Sequence, residues 1–206
     1  TGTEAGPYKG WIIAMTSNNL PQRRGLRLAN FDYSSPGAYF VTICVQNRVH
    51  LFGKIPDGDV RLNDAGHMVH DSWTAITNQF PSVRLDAFVI MPNHLHGLLW
   101  LTSPFTAEQD NVAQPALPDI MQWFKSWTTA QYRQGVVQHD WTPYPKKLWQ
   151  RSYYDHIVRH DEALNAIRGY IEQNPARWHM DRYNPDSGES DPLVAQIWRL
   201  LQEDSG

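Results

Sequence analysis

Two apolar runs, Leu85–Met91 (LDAFVIM) and His94–Leu101 (HLHGLLWL), are separated by only Pro92 and Asn93. A two-residue link leaves no room for a helical crossover, so the runs must fold back on each other as an antiparallel hairpin. Both runs are mostly apolar, so the hairpin is expected to be buried. Whatever else the chain does, it builds around this pair.

The flanking segments supply the rest of one layered domain. Gly37–Gln46 (GAYFVTICVQ) is rich in aromatic and β-branched residues and reads as a first strand. Pro56, Asp57, Gly58 and Asp59 mark a small hairpin within 50–62. Asn63 or Asp64 caps a helix running to about Gln79, with Met68, Val69, Trp73 and Ile76 on one face, before Pro81 stops it. Residues 102–118 read as a loop. Ile120, Trp123, Phe124, Trp127 and Tyr132 then mark a helix from about Asp119 to Gly135, and 148–158 reads as a fourth strand with its flank. Asp161 caps a last main helix through Leu164, Ile167 and Ile171, closed by Pro175. Strand, helix, strand, strand, helix, strand is the split βαβ order. The expected fold is therefore α+β and ferredoxin-like, an antiparallel four-stranded sheet with helices on one face, plus an extra C-terminal helix carrying Tyr170. Residues 193–201 have helical spacing and are expected to dock as a tail helix.

A chain of 206 residues is one ordinary domain, and 41% hydrophobic against 19% charged residues excludes wholesale disorder. No stretch approaches the ~18 apolar residues of a membrane span, and no secretory leader is visible, so the expectation is a cytoplasmic protein. Cys44, the single cysteine, sits in an apolar run and is expected to be a buried free thiol. The net charge of −3 hides a polarity. Arg23, Arg24, Arg27, Arg48 and Lys54 oppose only Asp32 in 20–54, and Lys125, Arg133, Lys146, Lys147, Arg151 and Arg159 oppose only Asp140 and Asp155 in 121–160. Residues 186–206 carry five anions and one cation. Two basic blocks suit a polyanionic partner, though solvated surface is the bland alternative.

Two residue pairs carry the chemistry. His94 and His96 are two apart on a strand, so their imidazoles leave one face of the sheet, where they fit either a shared metal ion or ordinary packing. Tyr170 and Asn174 are four apart on a helix and lie on one face. By themselves they also fit a core tyrosine and a helix-terminal asparagine. His67 and His70 on the first helix read as surface histidines.

MPNHLHGLLWL at 91–101 resembles the histidine–hydrophobic–histidine motif of the HUH endonuclease superfamily, and YIEQNPARW at 170–178 resembles its single-tyrosine helix. RRGLRLANFDYSSPGAYFVTICVQNR at 23–48 and WQRSYYDHIVRHDEALNAIRGYIEQNP at 149–175 are similar to the bacterial REP-associated tyrosine transposases. The resemblance covers roughly 20–183, implying a catalytic domain over 21–183 between an N-terminal extension (1–20) and an acidic tail (184–206).

The resemblance implies that His94, His96 and Asn174 hold Mg2+ or Mn2+, a choice the ligand types leave open. It implies that Tyr170 attacks a single-stranded phosphodiester next to a hairpin of a repetitive extragenic palindrome, giving a 5′-phosphotyrosine and a free 3′-OH. Arg23, Arg24, Arg27, Lys125 and Arg151 are expected to contact DNA, with Lys146 and Lys147 nearby. Trp123, Trp127, Trp149, Tyr153 and Tyr154 are either base-stacking platforms or core. His156 either assists the site or braces it. The alternatives are a non-catalytic palindrome-binding protein and a water-using metallonuclease. Monomer and homodimer both remain open, and charge polarity suggests that the acidic tail restrains the site.

Overall fold

The computed structural model describes residues 31–103, 114–188 and 191–203. The N-terminal extension (1–20) and Arg23, Arg24 and Arg27 lie outside them. Four strands form one sheet, β1 (Gly37–Cys44), β4 (Val83–Met91), β5 (His94–Leu101) and β6 (Tyr154–Val158), in the order β4-β5-β1-β6, with every neighbouring pair antiparallel. A small separate hairpin joins β2 (Gly53–Lys54) to β3 (Arg61–Leu62). Numbering only the four main strands, the order is 2-3-1-4, as the split βαβ reading expects.

The alternation of strand side chains sorts the core into two layers. Tyr39, Val41 and Ile43 of β1 and Leu95, Leu99 and Leu101 of β5 face one layer, where they pack with Trp73, Ile76, Ile120, Met121 and Phe124. Those last residues belong to α1 (Asp64–Thr74), α2 (Ile76–Gln79) and α3 (Leu117–Gln138). Ala38, Phe40 and Leu98 face the other layer, with Leu164, Ile167, Tyr170 and Ile171 of α4 (Asp161–Gln173) and Ile197 and Leu201 of α5 (Pro192–Glu203). The two crossover helices thus share one face, and the extra C-terminal helices cover the other. The histidines of β5 point into this second layer, and so does the tyrosine of α4.

Local chemistry sets the helix ends. Asn63 accepts from the Gly66 N–H at 2.9 Å, a side-chain cap for α1. The chain breaks at Ala75, so the single helix expected to Gln79 is two. α3 begins at Leu117, earlier than expected, because Pro118 occupies a first-turn position where a missing N–H costs nothing. The Asp119 carboxylate accepts from the Ala116 N–H at 3.1 Å. Asp161 lies in the first turn of α4 rather than at its cap, where it and Glu162 favour the helix dipole. The fourth strand is shorter than expected: 148–153 contributes only the Val45–Trp149 bridge, and pairing with β1 starts at Tyr154.

Candidate metal and nucleophile site

Register fixes the imidazoles. His94 pairs with Cys44 and His96 with Thr42 on the neighbouring β1. Both histidines are fully buried, and their Nε2 atoms lie 3.1 Å apart. The turn before them holds the tautomer. Asn93 Nδ2 donates to the carbonyls of Arg48 (3.0 Å) and Tyr183 (2.8 Å), which leaves its Oδ1 to accept from His94 Nδ1 at 2.8 Å. His94 Nε2 is therefore a lone pair aimed at the site. His96 Nδ1 lies 2.8 Å from Thr42 Oγ1, an oxygen able to accept its proton and free Nε2 in the same way. Burial, reinforced for His94 by Arg182, Arg48 and His50, pushes both imidazole pKa values well below the usual range, so both rings are neutral. A neutral imidazole is the form that binds metal.

Helix geometry delivers the phenol. Tyr170 is 7% exposed, and its hydroxyl is 3.1 Å from His96 Nε2. Its ring makes edge contacts with His96 (5.0 Å) and Phe40 (6.2 Å). Burial raises the phenol pKa well above 10, with Asp181 and Tyr183 adding to the effect, while Arg182 and Asn174 oppose it. Left alone, the group is a neutral phenol at physiological pH.

Asn174 keeps helical dihedrals (φ −56°, ψ −41°), so it stays one turn beyond Tyr170 even though the α-helix ends at Gln173. It is 2% exposed, and its Oδ1 has no hydrogen-bond partner. The 3-10 turn Pro175–Met180 then folds the chain back, bringing Asp181 beside the histidines with Oδ2 at 3.7 Å from His94 Nε2. Asp181 Oδ1 accepts from the Tyr183 N–H at 2.6 Å, and Oδ2 is also without a hydrogen-bond partner. Burial raises the Asp181 pKa, against the pull of His96 and the Tyr183 and Asn174 donors.

These donors fit a divalent ion. Ligand atoms of His94, His96 and Asp181 all lie within 4.8 Å of one another. Two nitrogens 3.1 Å apart match neighbouring ligands on one ion, since bonds of about 2.1 Å at a right angle span about 3.0 Å. Two buried oxygens without partners beside two aligned lone pairs would each carry a desolvation cost unless a cation met them. Imidazole with carboxylate or amide oxygen suits manganese, and magnesium accepts the oxygens.

Comparisons with known proteins place the chain in a family. The sequence profile described as "Transposase IS200 like" matches residues 39–174, from β1 to Asn174. The chain belongs to the IS200-like transposase family. A Haemophilus influenzae protein described only as uncharacterized is 36% identical over 179 residues, covering 81% of this chain and 96% of its own. A second protein from that organism, named "Putative REP-associated tyrosine transposase", is 24% identical over 149 residues, 71% of this chain and 74% of its own. A REP-associated tyrosine transposase solved with a REP hairpin shares the fold at TM-score 0.51 and 17% identity, over 74% of this chain and 72% of that one.

As an IS200-like transposase the chain is an enzyme of the transposase kind, acting on DNA. His94, His96, Tyr170 and Asn174 come together in one buried cluster. His156 is buried on the same face but sits opposite Phe40, a position farther along β6 than Tyr154, which shares a row with His96. Lys125 does not point outward: its Nζ donates to the carbonyls of Gln150 (2.7 Å) and Arg151 (2.9 Å), and burial lowers its pKa to about 8. Arg151 is exposed. Trp149 is core, donating from Nε1 to Thr128 Oγ1 at 2.8 Å, whereas Trp123 and the 46%-exposed Trp127 stack on each other at 6.0 Å. Cys44 is buried, and burial raises its thiol pKa to about 12. Among the described residues no helix is long and apolar enough to cross a membrane.

Asp181, Asn93 and Tyr183 were missed by sequence reasoning. Tyr183 floors the site, its ring 4.7 Å from that of His94. A cavity of about 20 Å³, room for one water, lies between Phe40, Thr42, His96, Tyr170 and Tyr183, roofed by Val194, Ile197 and Leu201 of α5.

Proposed function

We propose that this chain is a metal-dependent endonuclease and strand transferase for single-stranded DNA flanking hairpins, with Tyr170 as nucleophile. The observation that carries the reading is the row of three buried groups, Tyr170 hydroxyl, His96 Nε2 and His94 Nε2, each 3.1 Å from the next. His94, His96, Asp181 and Asn174 would hold Mg2+ or Mn2+. Bound there, such an ion supplies Lewis-acid stabilisation of charge on the phosphoryl oxygens and favours the phenolate.

The protein's own groups do the rest. α4 holds the phenol against the metal ligands, and Asn174 donates toward the phenol oxygen and lowers the cost of its charge. The phenol proton passes to water, the Tyr170 oxygen bonds to phosphorus, the P–O3′ bond breaks, and the 3′ oxygen takes a proton from water. One phosphoester replaces another, so the linkage can be resolved by a returning 3′-OH without ATP.

Hairpin DNA as partner is supported by the fold shared with a transposase solved on a REP hairpin. Arg23, Arg24, Arg27 and Arg151 would contact the backbone, with Lys125 bracing the Arg151 loop. The catalytic unit is 21–183, with α5 laid over it, and it works in the cytoplasm, where its substrate is. Incubation with Mn2+ and a hairpin oligonucleotide copied from an inverted repeat beside the coding sequence is expected to give a covalent protein–DNA adduct, absent in Tyr170→Phe and His94→Ala. An undiminished adduct in Tyr170→Phe refutes the assignment.

A further inference from the structure

We infer that Arg182 is the anion clamp for the scissile phosphate, a substrate-contacting residue beyond the metal ligands and the nucleophile. The inference rests on the reading of Tyr170 as nucleophile and adds the group that holds what Tyr170 attacks.

Four observations carry it. Arg182 lines the same small cavity as Tyr170 and His96, so its side chain borders the space beside the phenol oxygen. The residue is exposed, although its neighbours Asp181 and Tyr183 are both buried. The residue thus spans from the protein surface to the wall of the cavity that holds the phenol oxygen. Its guanidinium lies over the Tyr183 ring at 4.8 Å, and Arg48 lies over the same ring at 5.5 Å. That ring is packed on His94, so both cations are referenced to the metal ligands through one aromatic plate.

The backbone around Arg182 is also fixed. Arg48 donates to the Arg182 carbonyl at 2.8 Å, and Asn93 donates to the Tyr183 carbonyl at 2.8 Å while its oxygen meets His94. Arg48 and the turn just before the histidine strand thus set the position of residues 182–183. Two guanidinium groups, those of Arg48 and Arg182, thus share the Tyr183 ring beside the buried Asp181 and the histidines. A phosphodiester is the anion that the adjoining nucleophile requires. A planar guanidinium can give two parallel N–H bonds to its non-bridging oxygens, and these strengthen as negative charge accumulates in the transition state.

The test compares wild type, Arg182→Ala and Arg182→Lys with the same hairpin oligonucleotide and saturating Mn2+. Adduct rate, hairpin affinity by fluorescence anisotropy and Mn2+ affinity by calorimetry are measured for each. Arg182→Ala is expected to lower the adduct rate about 10²–10³-fold with hairpin and Mn2+ affinities within a few-fold of wild type. Arg182→Lys is expected to recover part of the rate, and added guanidinium ion to restore part of it to Arg182→Ala alone. An adduct rate in Arg182→Ala within threefold of wild type overturns the inference while leaving Tyr170 in place. So does a loss matched by lost Mn2+ binding, which would make Arg182 a prop for Asp181. If wild type forms no adduct, the nucleophile reading falls and the clamp with it.

Discussion

The helix that carries Tyr170 is tied to the sheet by an ion pair between Arg168 and Asp86, and its contribution can be worked out. Arg168, two residues before Tyr170, donates from Nε and from a terminal nitrogen to the two oxygens of Asp86, at 2.9 and 2.6 Å. Asp86 sits at the irregular register between Leu85 and Phe88 of β4 and also accepts from Trp100 Nε1 at 3.0 Å and the Ala87 N–H at 2.8 Å. The Arg168 hydrogen bonds, with help from Trp100 and Ala87, hold its pKa down to about 2 from 3.8. A carboxyl whose pKa falls that far on folding stabilises the native state by roughly 2 kcal/mol before screening. The Arg168 side chain is 41% exposed, so solvent screening reduces this to about 1–2 kcal/mol. Asp86→Asn should therefore lower Tm by about 3–6 °C near neutral pH. The sign follows from the depressed pKa: the contribution is full above pH 3.8 and is lost as pH falls toward 2. Thermal melts of both proteins from pH 7 down to pH 2 should show a gap that is constant at first and closes over that window. Equal Tm values at neutral pH, or a gap that persists unchanged at pH 2, would refute the argument.

Other outcomes follow from single contacts. Asp181→Asn should weaken Mn2+ binding at least about tenfold by calorimetry while leaving the fold intact by circular dichroism. Gly97→Ala would place a Cβ 2.2 Å from the Trp73 ring and should cost about 1–3 kcal/mol in urea denaturation, without removing any site group. Truncation after Asp186 removes Ile197 and Leu201 from above Tyr170; hairpin cleavage or affinity should rise, and an unchanged rate counts against the roof. Cys44 should resist thiol reagents in the folded protein and react once it is denatured.

The sheet and four of the site residues could be read from sequence because each rests on a short period. The alternation that puts His94 and His96 on one face, and the four-residue step from Tyr170 to Asn174, are consequences of strand and helix geometry alone. Asp181 follows no such period. It reaches the histidines only because Pro175 starts a 3-10 turn that reverses the chain, and an aspartate in a polar loop looks the same whether or not the fold buries it. Asn93 read as half of a tight turn, and nothing local says that its amide will meet carbonyls from distant segments. Lys125 misled for the opposite reason: charge counts treat every lysine as surface, whereas this one terminates two carbonyls of the loop it faces. The apolar residues of 148–153 suggested strand. Residues 148–150 do bond to 44–46, through Gln46 N–H to the Leu148 carbonyl and Gln150 N–H to the Cys44 carbonyl. The pairing stops at that single bridge, and the Trp149 side chain turns to Thr128 of a helix.

The Asn93 amide reaches across 45 residues to Arg48 in one direction and 90 residues to Tyr183 in the other. A protein still emerging from the ribosome, or one with its last third unravelled, has the imidazole pair but lacks the carboxylate, the phenol and the carbonyl that orients the ring. On the reading proposed above, competence to sever DNA would then arrive only once residues 170–183 have docked on the sheet.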